Sequence, residues 1–435
     1  MKEPDVSRTV RTKNVSEPFS IPDFAPPTAG DRVCELAEFG GIPDGTTSNT
    51  AAFERAIAQC ARASGRVVVP RGCWLTGPIE LRSGVHLHLD RGAELIFSTR
   101  AEDYLPAAFT RWEGHECYNF RPLIYAHDCR NIAITGEGVL DGRGAAWWPW
   151  AQRQAVAHAV LFNAGRDGVP VEERVFGTVQ DGLRPPFFQP IGCRDVLIEG
   201  VTFRNGPMWT IHPVYCENVT TRGVTVLTEG PNTDGLNPDS CRNVRIENCR
   251  FSTGDDCIAI NSGKNEDGRR VGRPCERIVI RHCRMEHGHG GVVIGSGMSG
   301  GVRDVLVHDC TFDGTQRGIR LKAVRGRGGV VENVWFRDIT MSRIEAEAIV
   351  MDLHYADPTV TPRLDAAPTF RDIHVARIRC DGAGTAIRLR GLPEQPLENI
   401  TLEDVRITAR EGMSCDEVKG LRNIDVCIRT SDAQR

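Results

Sequence analysis

The chain has 435 residues, a net charge of −4 and 25% charged residues. That balance gives no bulk electrostatic support for a nucleic acid or an anionic membrane as partner. No apolar run approaches the ~18 residues needed to cross a bilayer, and 45 glycines and 25 prolines suit one long, turn-rich solenoid better than several globular domains.

Residues 1–30 contain no apolar signal core and read as a loose arm preceding a single domain over 31–435. The expectation is a cytoplasmic protein, or a periplasmic or secreted one whose signal has been removed, and a monomer. The segment NTAAFERAIAQCARA places Ala52, Phe53, Ala56, Ile57 and Cys60 on one helical face, with Ser48, Asn49 or Thr50 as N-cap. An open solenoid end is an unpaired sheet edge, so this helix is expected to cover the first coil. Strands follow in VVVP and IELRSGVHLHLDRGAELIF, with Gly84 and Gly92 at turns. Two long insertions, Asp103–Tyr125 and Ala145–Gln189, come next. Their Trp112, Tyr118, Trp147, Trp148 and Trp150 either face sugar rings or pin the loops to the coil.

From Cys193 the chain repeats. CRDVLIEGVTF, CENVTTRGVTV, CRNVRIENCRF and CERIVIRHCRM begin at Cys193, Cys216, Cys241 and Cys275, and four further units begin at Val302, Val331, Phe370 and Leu397. An earlier member begins at Cys129. In the Cys193 unit Val196, Ile198, Val201 and Phe203 are the apolar set, and the alternation changes phase at Glu199–Gly200. Period-two alternation means strands with one buried face, and the phase change means a bend. Self-similarity at this length indicates a solenoid. Without a leucine ladder or intervening amphipathic helices, the expected fold is all-β, a parallel β-helix with rungs about 4.8 Å apart. The sixteen cysteines mostly hold fixed repeat positions and read as small buried residues stacked between rungs, with no CxxC pair to suggest a metal. His86, His88 and His308 fall within strand patterns and read as structural, while His212 is a candidate to line a subsite.

Four motifs fall in consecutive repeats: NTD at Asn232–Asp234, GDD at Gly254–Asp256, GHGG at Gly288–Gly291 and RLK at Arg320–Lys322. Their intervals are about one coil each once the Lys264–Arg273 insertion is allowed for. One face should therefore present Asp234, then Asp255 and Asp256, then His289, then Arg320 and Lys322. Crowded carboxylates raise the pKa of at least one, which supplies an acid, while an ionised one activates water. The two cations fit a carboxylate on the substrate. This is the chemistry of glycoside hydrolysis between acidic sugars.

In this order the four motifs resemble glycoside hydrolase family 28, the polygalacturonase family of pectin-degrading enzymes. The resemblance covers roughly Phe39 to the C-terminus. It implies a right-handed parallel β-helix that hydrolyses α-1,4-galacturonosyl bonds of pectic poly- or oligosaccharides with inversion, without metal or other cofactor. It implies Asp255 as general acid, Asp234 and Asp256 as the pair holding and activating water, and His289 as support for the acid. It also implies Asn232, Arg320, Lys322 and Tyr355 as substrate-binding residues, Tyr355 on spacing alone. The acid and the water-activating pair are expected about 6.5–9.5 Å apart. The longer runs around the motifs are similar to the bacterial exo-acting branch. The insertions, lying just before the catalytic coils, are placed to wall off one end of the groove. Two departures stand out: Asn261 where many relatives carry Lys, and Gly297 where the exo-type pattern often has Glu. A rhamnogalacturonan-type hydrolase, a non-catalytic glycan-binding β-helix and a Ca²⁺-dependent pectate lyase remain as alternatives.

Overall fold

The computed structural model describes residues 18–356 and 366–430. Its strands stack in parallel, each coil hydrogen-bonded to the coils before and after it, into one long β-helix. Val196, Ile198, Val201 and Phe203 are all fully buried, as the alternation requires. So are Val219, Val244, Ile278 and Val305, their in-register equivalents of Val196. Each such side chain removed from water contributes roughly 1.5–3 kcal/mol, which drives the stack to close.

The six units from Cys193 to Val331 each turn twice through the left-handed region. The first bend falls on Asp195, Asn218, Asn243, Arg277, Asp304 and Asn333 in successive units, and the second on Gly200, Gly223, Asn248, His282, Asp309 and Asp338. Asn, Asp and Gly tolerate positive φ best, which explains the recurring RDV, ENV and RNV strings. Several of these side chains bond along the stack as well: Asn218 Nδ2 donates to Asp195 Oδ1 at 2.8 Å, and Asn243 Nδ2 to Asn218 Oδ1 at 3.0 Å.

An alternating charge column runs beside this ladder. Arg194, Glu217, Arg242, Glu276, Arg303, Glu332 and Arg371 occupy one register position in consecutive coils. Ion pairs join Arg242 to Glu217 at 2.8 Å, Arg303 to Glu276 at 2.5 Å and Arg371 to Glu332 at 2.6 Å. Like charges stacked every ~4.8 Å would repel, and alternation removes that cost. Singly, such exposed pairs are worth under about 1 kcal/mol.

The capping helix α1 spans Thr50–Cys60 and buries Ala52, Phe53, Ala56, Ile57 and Cys60, the predicted face. Asn49 is its N-cap residue, yet its side chain bonds backward, to Ile42, Thr47 and Leu75 backbone atoms, and ties the helix to the first coils. Of the expected arm, residues 1–17 lie outside the described residues. Residues 18–30 run along the coils without regular structure: Arg245 donates to Phe24 O at 3.3 Å and stacks on its ring at 4.3 Å. At the other end, Leu397–Asp416 and Arg422–Thr430 pair as the last rungs. All sixteen cysteines are free thiols, thirteen of them buried.

The insertions fold into a second body against the coil. Ala108–Trp112 and His115–Asn119 form an antiparallel hairpin, Val175–Phe176 adds a third strand, and Ala155–Asp167 is a helix, α2. Trp112, Cys117, Ala157, Leu161, Phe176 and Leu183 pack there against Met208 and Trp209 of the coil. A short helix α3, Asn265–Val271, lies within the Lys264–Arg273 insertion. Its buried Asp267 accepts from Arg174 Nη1 at 2.9 Å and from Arg270 Nη2 at 2.8 Å. No helix among the described residues is long and apolar enough to cross a membrane.

Candidate active site

The site lies on the sheet whose rungs align Ile211, Leu236, Ile258, Val292, Ile319 and Ile349. Asp234 and Asp256 stand two residues before Leu236 and Ile258, one above the other. Gly290 takes the same position in the next rung, where a Cβ would lie 3.1 Å from Asp256 Oδ1 and 3.6 Å from Arg320 Cδ. The second glycine of GHGG thus leaves space for the carboxylate and the guanidinium to meet. Arg320 and Lys322 follow one rung further, on alternate residues of Ile319–Lys322.

One oxygen from each of Asp234, Asp255 and Asp256 lies within 4.8 Å of the others. Their surroundings differ. Asp256 is buried and receives Lys322 Nζ on Oδ2 at 2.8 Å and Arg320 Nη1 on Oδ1 at 3.3 Å. Burial alone would push its carboxyl up; the Lys322 ammonium and the Arg320 guanidinium outweigh this and hold it below the usual carboxylate range. Asp234 accepts from Asn237 Nδ2 at 2.8 Å, but burial, then the charges of Asp255 and Asp256, push it well above that range. Asp255 is partly exposed and meets His289 Nδ1 at 3.0 Å through Oδ1, which also accepts from Asp256 N–H at 2.9 Å. The bond to Asp255 raises the His289 pKa above its usual 6.5. The two buried carboxyls are thus pushed in opposite directions, Asp234 up by burial and its acidic neighbours and Asp256 down by its two cations.

These residues open onto a recess of about 110 Å³, lined by Asn232, Asp234, Asp255, Asp256, Lys322 and Tyr355 among others. Tyr355, placed by spacing, sits with its ring 5.7 Å from the Arg320 guanidinium and 5.3 Å from the Lys322 ammonium. His289 reaches the cluster through Asp255 and Arg320 through Asp256. A larger depression of about 450 Å³ lies under α1 and touches none of the motif residues.

Several residues escape the motif reading. Arg184, buried within the second insertion, donates to Asn232 Oδ1 at 2.6 Å, Pro231 O at 2.6 Å and Pro207 O at 3.1 Å, and so fixes the NTD turn, where Asn232 has φ +56°. Trp209, Glu113 and Lys264 line the recess. The departures Asn261 and Gly297 are neighbours of Lys264: a Cβ on Gly297 would lie 3.1 Å from Lys264 Cγ and 3.3 Å from Asn261 Oδ1.

Some expectations are redirected. His212 is fully buried beneath Trp209, between Gln189 (2.8 Å) and Asp239 (3.4 Å), and lines no subsite. Trp147 packs on Tyr104 and Trp150, while Trp148 Nε1 donates to Gly206 O at 2.9 Å. These tryptophans pin the loop, and the recess-lining tryptophan is Trp209. The carboxylates are also closer than the expected 6.5–9.5 Å.

Residues 178–427 match glycosyl hydrolases family 28, and the chain belongs to that family. It is therefore a glycoside hydrolase. It is 32% identical to a probable polygalacturonase from Vitis vinifera over 89% of this chain and 77% of the relative. It is 29% identical to an exo-poly-alpha-D-galacturonosidase from Dickeya chrysanthemi, over 84% of this chain and 65% of that protein. Its fold superposes on the hyperthermoactive exopolygalacturonase from Thermotoga maritima with a TM-score of 0.87 and 38% identity, over 93% of each chain.

Proposed function

We propose that the protein is an exo-acting polygalacturonase that works as a monomer on pectic poly- or oligogalacturonate. The observation that carries this reading is the recess itself. Three carboxylates and Lys322 line it, and Glu113, at the tip of the insertion hairpin, lines it with them. The similarity to exopolygalacturonases supports the same reading.

In the proposed reaction Asp255 gives its proton to the glycosidic oxygen as the bond from C1 to that oxygen breaks. Water, held by Asp234 and Asp256, adds to C1 and passes a proton to Asp256, which Lys322 and Arg320 keep ionised. His289 orients Asp255. Arg320, Lys322 and Tyr355 hold the galacturonate on the departing side, and Asn232 faces the sugar ring. Because the carboxylates are so close, inversion requires water to sit at the cluster itself, not between two distant groups. The raised titration of Asp234 favours a second reading for the proton alone, in which Asp234 stores it before delivery.

Hydrolysis of trigalacturonate followed by proton NMR tests the scheme. The first-formed product should be the β-anomer, with no unsaturated uronate and no loss of rate in a chelator. An α-anomer appearing first would establish retention and make one carboxylate a nucleophile. An unsaturated product would establish elimination.

A further inference from the structure

The recess carries a further charged pair that none of the four motifs supplies. Glu113 and Lys264 line it together with Asp255, Asp256 and Lys322. Lys264 Nζ lies 2.9 Å from Glu113 Oε2, both side chains only 11% exposed, and His158 Nε2 lies 3.7 Å from the same oxygen. The pair is firmly built. Glu113 and Gly114 are the two central residues of the insertion hairpin, with φ +43° and +83°. That turn favours Asn-Gly or Asp-Gly, so a glutamate there is held at some backbone cost. A Cβ on Gly114 would stand 3.0 Å from both Lys264 N and Lys264 Cγ, and Gly114 O accepts from Lys264 N–H at 3.2 Å. The hairpin tip is therefore pressed onto the turn that leaves the Asp256 coil, and it carries its acid into the recess.

We propose that Glu113 and Lys264 form the subsite that reads the non-reducing chain end. Glu113 accepts a hydrogen bond from the C4 hydroxyl of the terminal galacturonate, and Lys264 pairs with that sugar's carboxylate. The inference rests on the exo reading above. Along an α-1,4 chain the C4 oxygen of every internal sugar carries the next sugar and has no proton to give. Only the terminal ring has a C4 hydroxyl to donate to Glu113, and a site built around such a bond rejects partners that lack it. Glu113 and Lys264 are together neutral, so an arriving carboxylate is drawn to the ammonium and away from Glu113. With Arg320 and Lys322 serving the departing side, this pair is left to the non-reducing side.

The test compares trigalacturonate with the trimer whose non-reducing ring is 4,5-unsaturated and so lacks the C4 hydroxyl. The wild type should prefer the saturated trimer by roughly 10- to 100-fold in kcat/KM. Glu113→Gln keeps the shape and loses the charge; Glu113→Asn suits the positive φ and withdraws the acceptor. Both should cut the preference to a few-fold, mainly through KM, and release mixed product lengths from polymer. If the wild type is exo-acting and both variants keep its preference and its products, the proposal is overturned and Glu113 only pins the hairpin. If the wild type itself cleaves internally, the exo reading falls, and this proposal with it.

Discussion

Asp255→Asn should lower kcat on polygalacturonate by about 10³-fold while the protein stays folded, because a positioned acid contributes 10²–10⁴. The fold should survive: an asparagine oxygen can still accept from the Asp256 N–H and from His289, the bonds Asp255 Oδ1 makes now. The His289 pKa, raised first of all by its bond to Asp255, should fall back toward 6.5, which NMR of the imidazole can follow. An aryl galacturonide with a good leaving group needs little acid help, so it should recover much of the lost rate. Asp256→Asn should gain nothing from that substrate. If the aryl substrate rescues Asp234→Asn and leaves Asp255→Asn inactive, the acid is Asp234.

The second large effect is expected at Lys322. Lys322→Met leaves Asp256 buried with only the longer contact from Arg320. Removing one partner of a buried pair costs about 3–5 kcal/mol. The sign follows from the depressed pKa of Asp256. Its ionised form stabilises the fold above the ordinary carboxylate range, and that stability is lost as pH falls through the lowered native value. In the variant the Asp256 pKa rises. The acid limb of the rate profile should therefore move to higher pH, and the stability deficit should be largest near neutrality and shrink in acid. Denaturant melts across pH, set beside rate profiles, measure both. An unmoved acid limb would mean that Lys322 serves only the substrate.

Much of this was readable from the chain because a β-helix turns sequence period into spatial neighbourhood. Asp234 and Asp256, one coil apart, lie in adjacent rungs, and the helical face of Thr50–Cys60 is the buried one. The glycine at the second bend of the Cys193 unit has φ +76°. That the insertions reach the catalytic coils was legible too; what escaped was which of their residues meet which partners. Glu113 precedes Lys264 by 151 residues, and Arg184 precedes Asn232 by 48, with no period linking them. Only folding of the hairpin and α2 onto Met208 and Trp209 joins them to the site. Which carboxyl is raised was equally out of reach, because it depends on burial and on the cations that converge on Asp256 alone. His212 misled because its place beside the NTD coil says nothing about depth, and Trp209 covers it.

The most direct test of chain-end cleavage by this cluster is a time course on polygalacturonate, with product lengths and viscosity followed in the same digest. Mono- or digalacturonate should appear from the first minutes while viscosity falls slowly. A rapid fall in viscosity with a ladder of intermediate oligomers would contradict the account.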